Sequence, residues 1–411
     1  MTPHITVIGS ALSGNKGAAA MLESAVQTIG SRFPDAKFSL LSMYPAEDQL
    51  QNHYPNLQII PARPLQLGVT INLLALLYRV LPPLRPLIRK RSKAIRALAS
   101  SQVLLDQGGI TFTDGREKFL LYNVASILPA LLVGTPVFKC AQAVGPFLNP
   151  LNRAVARLFL PRVEVLVTRG AITHSFAEQL GLSNLFPGAD YAFSLELDGV
   201  EAERVAERFD LTIFDSDVVV GLSPSVVLQK KVEARGADYI QQMVDFVDHL
   251  VRSGRKVLLV PHSVRTGTEN THNNDLPLCR EIFARIANPS GVLFLDEELS
   301  SQELRYLIGR CDFFVASRFH AMVSSLAMAV PTLVIGWSHK YREVLEMFEL
   351  EQWAFGHDQL DSEYLNGRFD DLVAARTEIV AKLEKNLPAV KAKSLSQVDL
   401  IAAIVQKGTR S

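Results

Sequence analysis

The sequence predicts an α/β protein made of two doubly wound, Rossmann-like domains, each a parallel sheet with helices on both faces. Its 411 residues exceed what one hydrophobic core usually organises. Short runs rich in Val, Ile and Leu alternate with stretches of helical periodicity, the pattern of a buried parallel sheet. That alternation starts afresh after a polar, acidic stretch at 196–217.

In the first series, strands are expected at 5–8, 38–42, 103–106, 136–141 and 165–168, with helical patterns at 18–29 and 119–132. In the second, strands are expected at 218–222, 256–261, 292–295, 313–316 and 332–335, with an amphipathic helix at 238–252. Helical segments at 372–384 and 394–407 end the chain. The expected division is an N-terminal domain at 1–200, a C-terminal domain at 216–385 and a closing helix at 386–411 that can return to the first domain. A ligand cleft is expected between the two domains.

Hydrophobic residues make up 48% and charged residues 20%, ordinary for a folded soluble chain, which excludes a disordered one. Lys+Arg and Asp+Glu both number 42, so nothing drives the whole surface toward nucleic acid. Cys140, Cys279 and Cys311 lie far apart and fit reduced thiols in a reducing compartment. His4 leads straight into an apolar strand with no signal-peptide pattern, and a cytoplasmic location is expected. No His or carboxylate cluster has metal-ligand spacing, so neither metal nor cofactor is expected. The apolar segment 67–81 is followed by Arg85, Arg89, Lys90, Arg91, Lys93 and Arg96. Two readings fit it: peripheral contact with an anionic membrane, at the inner face of the plasma membrane, or a helix pair packed on the domain with a solvated basic face.

Four groups of residues carry chemistry. Gly9 to Gly17, with Gly14, Asn15 and Lys16, follows a strand and opens a helix, where backbone N–H groups suit an anion or a bare turn. Its ending is not that of a nucleotide-binding P-loop. Asp106-Gln107-Gly108-Gly109 ends an apolar strand, at the side of an open α/β sheet that faces ligands. Asp106 there can accept a hydroxyl proton or satisfy glycine amides. Arg169 ends another strand, where its planar fork suits a carboxylate or phosphate, or else a salt bridge. The densest group is Arg318-Phe319-His320 at a strand-to-helix junction, with Lys340 beyond the next strand. Cation, imidazole and helix N-terminus together suit an anion that must also receive a proton. His262 follows a strand and is expected to line the same site, with His339 as a further imidazole.

At these residues the chain resembles the polysaccharide pyruvyl transferase family. The matching blocks are Gly14-Asn15-Lys16-Gly17, Asp106 to Gly109, Arg169 with Ser175, Gly181 and Asp190, and most specifically the stretch 299–341 that contains Arg318-Phe319-His320-Ala321 and Lys340. It departs from the family pattern at Gln107, Gly170 and Tyr191. The resemblance implies a GT-B-like fold with the acceptor on the N-terminal and the donor on the C-terminal domain. It implies phosphoenolpyruvate as donor, a sugar or lipid-linked oligosaccharide as acceptor, a ketal product and released phosphate. On that basis His320 is assigned as general acid and Asp106 as base. Arg318, Arg169, Lys340, Asn15, Lys16, Gly108, Gly109 and His262 are assigned to substrate binding. Two rival readings are a nucleotide-sugar glycosyltransferase of the same architecture and a non-catalytic glycan-binding relative.

Overall fold

The computed structural model describes residues 2–198, 200, 202–215, 218–265, 273–336 and 339–408. Parts of the polar stretch at 196–217, His272 and the side chain of His339 lie outside the described residues. The chain forms two compact units. One comprises Met1–Ser13, Ala18–Leu195 and Lys391–Ser411; the other comprises Gly14–Gly17 and Glu196–Val390. The glycine-rich turn, expected in the N-terminal domain, therefore packs as part of the second unit.

The first unit holds a seven-stranded parallel sheet in the order β3-β2-β1-β4-β5-β6-β7. Its strands are β1 (His4–Ile8), β2 (Lys37–Ser42), β3 (Leu57–Pro61), β4 (Val103–Asp106), β5 (Val137–Gln142), β6 (Val165–Thr168) and β7 (Leu185–Pro187). The inner strands are buried on both faces, so they read as continuous apolar runs. The strand order reverses between β1 and β4, and at such a reversal the two following loops part to leave a crevice. Gly9 leaves β1 with φ +78°, and a Cβ built on it would meet the Gly108 nitrogen at 2.7 Å. Only glycine lets the loops after β1 and β4 approach this closely.

The second unit repeats the plan in six parallel strands ordered β10-β9-β8-β11-β12-β13. They are β8 (Val219–Ser223), β9 (Lys256–Leu259), β10 (Val292–Phe294), β11 (Phe313–Ala316), β12 (Thr332–Gly336) and β13 (Ala354–Gly356). Here the reversal lies between β8 and β11. Helix Tyr239–Arg252 starts on Asp238, whose side chain accepts from the Gln241 N–H, and lays an apolar stripe on the sheet. Helix Ser301–Ile308 starts on a reciprocal cap between Ser300 and Glu303.

Three edge strands, β3, β7 and β13, were not expected from the sequence. Each is short, and all three carry polar residues, Pro or Gly that blur the apolar signal. The two expected terminal helices are instead Ser362–Ala374 and one 33-residue helix, Arg376–Gly408, with Pro388 inside it.

One buried ion pair stands at the reversal of the first sheet. Asp106 and Lys139 are register partners on β4 and β5, and the Lys139 ammonium donates to the Asp106 carboxylate with both side chains buried. Removing one partner strands the other charge in the core. Lys139→Met should therefore lower stability by about 3–5 kcal/mol, and the double change Asp106→Leu/Lys139→Met should recover most of it. Urea unfolding of the three proteins measures this; a loss below about 1 kcal/mol for the single variant would show that the pair is not isolated from water.

Candidate functional site

In the second unit, chemistry-bearing residues gather at the carboxyl ends of the strands. Ser223 ends β8 and Ser225 follows it, His262 and Ser263 follow β9, and Glu298 follows β10. Ser317, Arg318 and His320 follow β11, and Lys340 and Tyr341 follow β12. This is the end of an open parallel sheet where ligands bind.

Asp275 organises the group. It is fully buried just before helix Leu276–Arg285. Its Oδ2 accepts from Arg318 Nε at 2.8 Å and from the Ser263 N–H at 3.0 Å. Its Oδ1 accepts from Arg318 Nη2 at 2.5 Å and from the Val226 N–H at 3.1 Å. One carboxylate thus ties together the loops after β8, β9 and β11. The Arg318 Nη1 donates to Asn273 Oδ1 at 2.7 Å. Burial works against the charge on Arg318, but the Asp275 carboxylate outweighs it and raises its pKa above the ordinary value. Arg318, expected as a direct anion ligand, is first a guanidinium clamped in place by a carboxylate.

The turn Gly14–Gly17 lies against the same loops. Asn15 forms an antiparallel bridge with Ser263, and the Val264 N–H donates to the Gly14 carbonyl at 3.1 Å. Glu298 Oε1 accepts from Lys16 Nζ at 2.6 Å and from the Gly14 N–H at 3.2 Å. Asn15 Oδ1 accepts from the Gly17 N–H at 3.1 Å, where helix Lys16–Arg32 begins. A Cβ on Gly17 would stand 2.0 Å from His320 Nδ1, so the imidazole packs directly on the glycine backbone. The His320 ring also meets Phe319 edge-on at 5.0 Å. Lys340 Nζ lies 4.8 Å from the centroid of the Phe319 ring, a cation–π contact beside that pair.

The electrostatics of His262 report what surrounds it. Burial pushes its pKa well below the ordinary value, and the cations Arg318, Arg305 and Lys16, with the neighbouring His320 imidazole, push it the same way. His262 is an imidazole whose surroundings disfavour its charged form.

In the first unit, two expectations change. Asp106, expected as the base, is buried; its oxygens accept from Lys139 Nζ and, at 2.9 Å, from the Gly108 N–H. It holds the β4–β5 pair and the Gly108-Gly109 turn through these two bonds. Arg169, expected as an anion ligand, is also buried and donates from Nη1 to Asp190 Oδ2 at 3.0 Å. Its guanidinium stays close to Gly109, where an added Cβ would meet Nη1 at 3.8 Å.

Sequence reasoning missed Asp275, Glu298, Arg305 and Asp48. Asp275 reads as an ordinary residue before a Pro-started helix, and nothing local marks its arginine partner. Asp48, fully buried in the first unit, accepts on Oδ1 from the Leu12 N–H at 3.0 Å and from the Ser13 N–H at 2.8 Å, fixing the chain that leads into the glycine-rich turn.

Comparison with known proteins agrees with this geometry. The Neisseria meningitidis UDP-GlcNAc 2-epimerase bound to UDP-GlcNAc superposes with a TM-score of 0.63 at 10% identity, covering 99% of this chain and 100% of that one. A UGT transferase from Siraitia grosvenorii in complex with UDP superposes with a TM-score of 0.59 at 13% identity, covering 98% of this chain and 100% of the other. At such identities the likeness is one of fold, two Rossmann-like domains of the GT-B type. In sequence, the amylovoran biosynthesis protein AmsJ of Erwinia amylovora is 21% identical over 368 residues, 85% of this chain and 87% of that protein. The family profile described as polysaccharide pyruvyl transferase matches residues 15–339, from the glycine-rich turn through the Arg318–His320 junction, and the chain belongs to that family.

Proposed function

We propose that this protein transfers the pyruvyl group of phosphoenolpyruvate to a sugar during exopolysaccharide synthesis, with the donor bound in the second unit. The observation that carries the reading is His320 packed on Gly17, with Arg318, Lys16 and His262 gathered at the same strand ends. Membership of the family supports transfer to a polysaccharide, and the AmsJ relative supports an exopolysaccharide product.

Phosphoenolpyruvate brings a carboxylate and a phosphate, so cations must hold it. Arg318, Lys340 and the N-terminus of helix Phe319–Ala327 supply that charge, with Lys16, paired to Glu298, beside them. In the reaction His320 delivers a proton to the methylene carbon, which becomes the methyl group. The adjacent carbon gains oxocarbenium character and takes two bonds from sugar hydroxyls, while its bond to the phosphate oxygen breaks. Of the two hydroxyl protons, one replaces the proton given to carbon and the other leaves with phosphate. A bound multiply charged anion favours the imidazolium form, which arms the acid when substrate is present. Asp106 has no part in this scheme. The acceptor is a sugar or a lipid-linked oligosaccharide.

The test is phosphate release from phosphoenolpyruvate in the presence of lipid-linked and nucleotide-linked sugars. Release that depends on the sugar supports the proposal. Tight binding of a nucleoside diphosphate without phosphate release would replace it with nucleotide-sugar chemistry, and glycan binding alone would leave a non-catalytic protein.

Within this scheme His320→Ala should lower turnover about 100- to 10,000-fold and leave most donor affinity, because a proton donor acts in the transition state. Arg318→Ala should weaken donor binding as well. Calorimetry beside phosphate release separates the two, and normal turnover of His320→Ala would move the acid elsewhere.

Gly17→Ala should displace His320, since no side chain fits within 2.0 Å of its ring. Turnover should fall as in His320→Ala while the melting temperature holds. Unchanged turnover would mean that the ring position is immaterial.

His262 adds a pH signature. Its folded pKa is lowered below the model-peptide value of 6.5, so the unfolded chain takes up the proton first as pH falls. Its contribution to stability is present above that value and is lost as pH drops toward the lower, folded pKa. Unfolding midpoints from neutral to mildly acidic pH should therefore decline less steeply in His262→Gln than in the natural protein. Parallel slopes would show that the fold does not lower the pKa of His262.

A further inference from the structure

No acidic residue occurs between Asp48 and Asp106, whereas eight Lys and Arg residues fall within 63–96. In a chain of zero formal charge this is a strong local excess. The segment forms a π-helical turn, Gln66–Ile71, that continues into helix Asn72–Val80, and then helices Arg85–Arg91 and Lys93–Ser100.

The first helical run is apolar on two faces. Leu67, Ile71 and Ala75 are 4% exposed or less and join the core of the first unit. Leu65, Val69, Leu73, Leu76 and Val80 stand between 45% and 77% exposed. Their spacing of four, four, three and four residues makes one stripe, about 22 Å long at the usual helical rise. Leu81, Leu84 and Leu87 extend the exposed apolar surface toward the basic helices. A helix that is apolar all round calls for cover on both sides.

The cations lie next to this stripe. Arg85 donates from Nε to the Tyr78 carbonyl at 3.0 Å and lies 5.2 Å from the Tyr78 ring centroid, which ties the basic block to the end of the apolar helix. Arg96 Nε donates to the Arg89 carbonyl at 3.1 Å and holds the two basic helices together. Arg89, Lys90, Arg91, Lys93 and Arg96 are all exposed.

We propose that this face docks on an anionic lipid bilayer, with the leucine stripe entering the interface and the basic helices facing the headgroups. Charge complementarity selects this occupant. A second copy of the chain would set the same positive block against itself in a symmetric pair, whereas anionic lipids neutralise it and accept apolar side chains at the same depth. The inference is independent of the chemistry proposed above.

The experiment is co-sedimentation of the full chain with phosphatidylcholine vesicles, with and without phosphatidylglycerol. Binding is expected only with the anionic lipid, and rising salt should release it. Leu73→Gln/Leu76→Gln should abolish it, and each of Arg89→Gln, Lys90→Gln and Arg91→Gln should weaken it roughly five-fold. A thermal melt checks that the variants fold. If the leucine pair melts early, Leu65→Gln/Val69→Thr serves instead. Three results would overturn the proposal: no binding to either vesicle, equal binding to both, or full binding by the folded leucine variant. Sedimentation equilibrium provides the counter-test, because a dimer that the leucine variant breaks, without vesicle binding, assigns the stripe to a second copy.

Discussion

The candidate donor site depends on one buried carboxylate. Asp275 receives four donors from three loops, and those loops carry the residues that define the site. A carboxylate at full burial is tolerated only when its charge is matched and its lone pairs are filled. Arg318 supplies the charge, and the backbone N–H groups of Ser263 and Val226 supply the rest. The guanidinium that faces the site is therefore locked in rotamer and orientation before any ligand arrives. Preorganised charge of this kind favours an anion without the cost of ordering a flexible side chain on binding.

The two units solve the same topological problem in different ways. In each, the strand order reverses and the following loops need an internal anchor. The first unit places an acid and a cation side by side on neighbouring strands, Asp106 and Lys139, and closes the anchor completely. Arg169 and Asp190, just past the ends of β6 and β7, form a second buried pair two strands further on. The second unit draws its acid from a helix start and its cation from a strand end, and leaves Arg318 partly accessible. Buried pairs of this type contribute more to defined geometry than to net stability, because desolvation offsets most of their attraction. The contrast explains why equally placed strand-end residues, Asp106 and Arg318, take different roles.

Much of this was legible in the sequence. The central strands of both sheets are buried on both faces, so their apolar runs stood out, and each run ended in the residues that matter. Arg318, His320, His262 and Lys340 were singled out from strand-end position together with the family resemblance, and the structure brings all four to the same end of the second sheet. Edge strands β3, β7 and β13 escaped because half-exposed strands carry mixed residues. The partners of Asp106 and Arg169 were not legible for a different reason. Strand-end position tells which side of the sheet a residue faces, but not whether a partner 20 to 35 residues away has already filled its hydrogen bonds; Lys139 and Asp190 had. Asp275 lies 43 residues before Arg318, and no local pattern links them.

In the glycine-rich turn the glycines meet two different steric demands. Glycines at a helix start suggest a backbone cradle for phosphate. Here two of them serve separate ends. Gly14 has φ +70°, in the left-handed region, and an added Cβ would also meet the Arg265 guanidinium carbon at 2.8 Å. Gly17 is glycine for space alone, because the imidazole of His320 occupies the place of its side chain. The turn is thereby a template against which His320 is held, while Lys16 in the same turn adds its charge to the field around His262. A proton donor works only when it is held within hydrogen-bond reach of the atom that receives the proton. A ring packed on bare backbone has little freedom to leave that position, which makes the absence of a Cβ at residue 17 as much a part of the site as the imidazole itself.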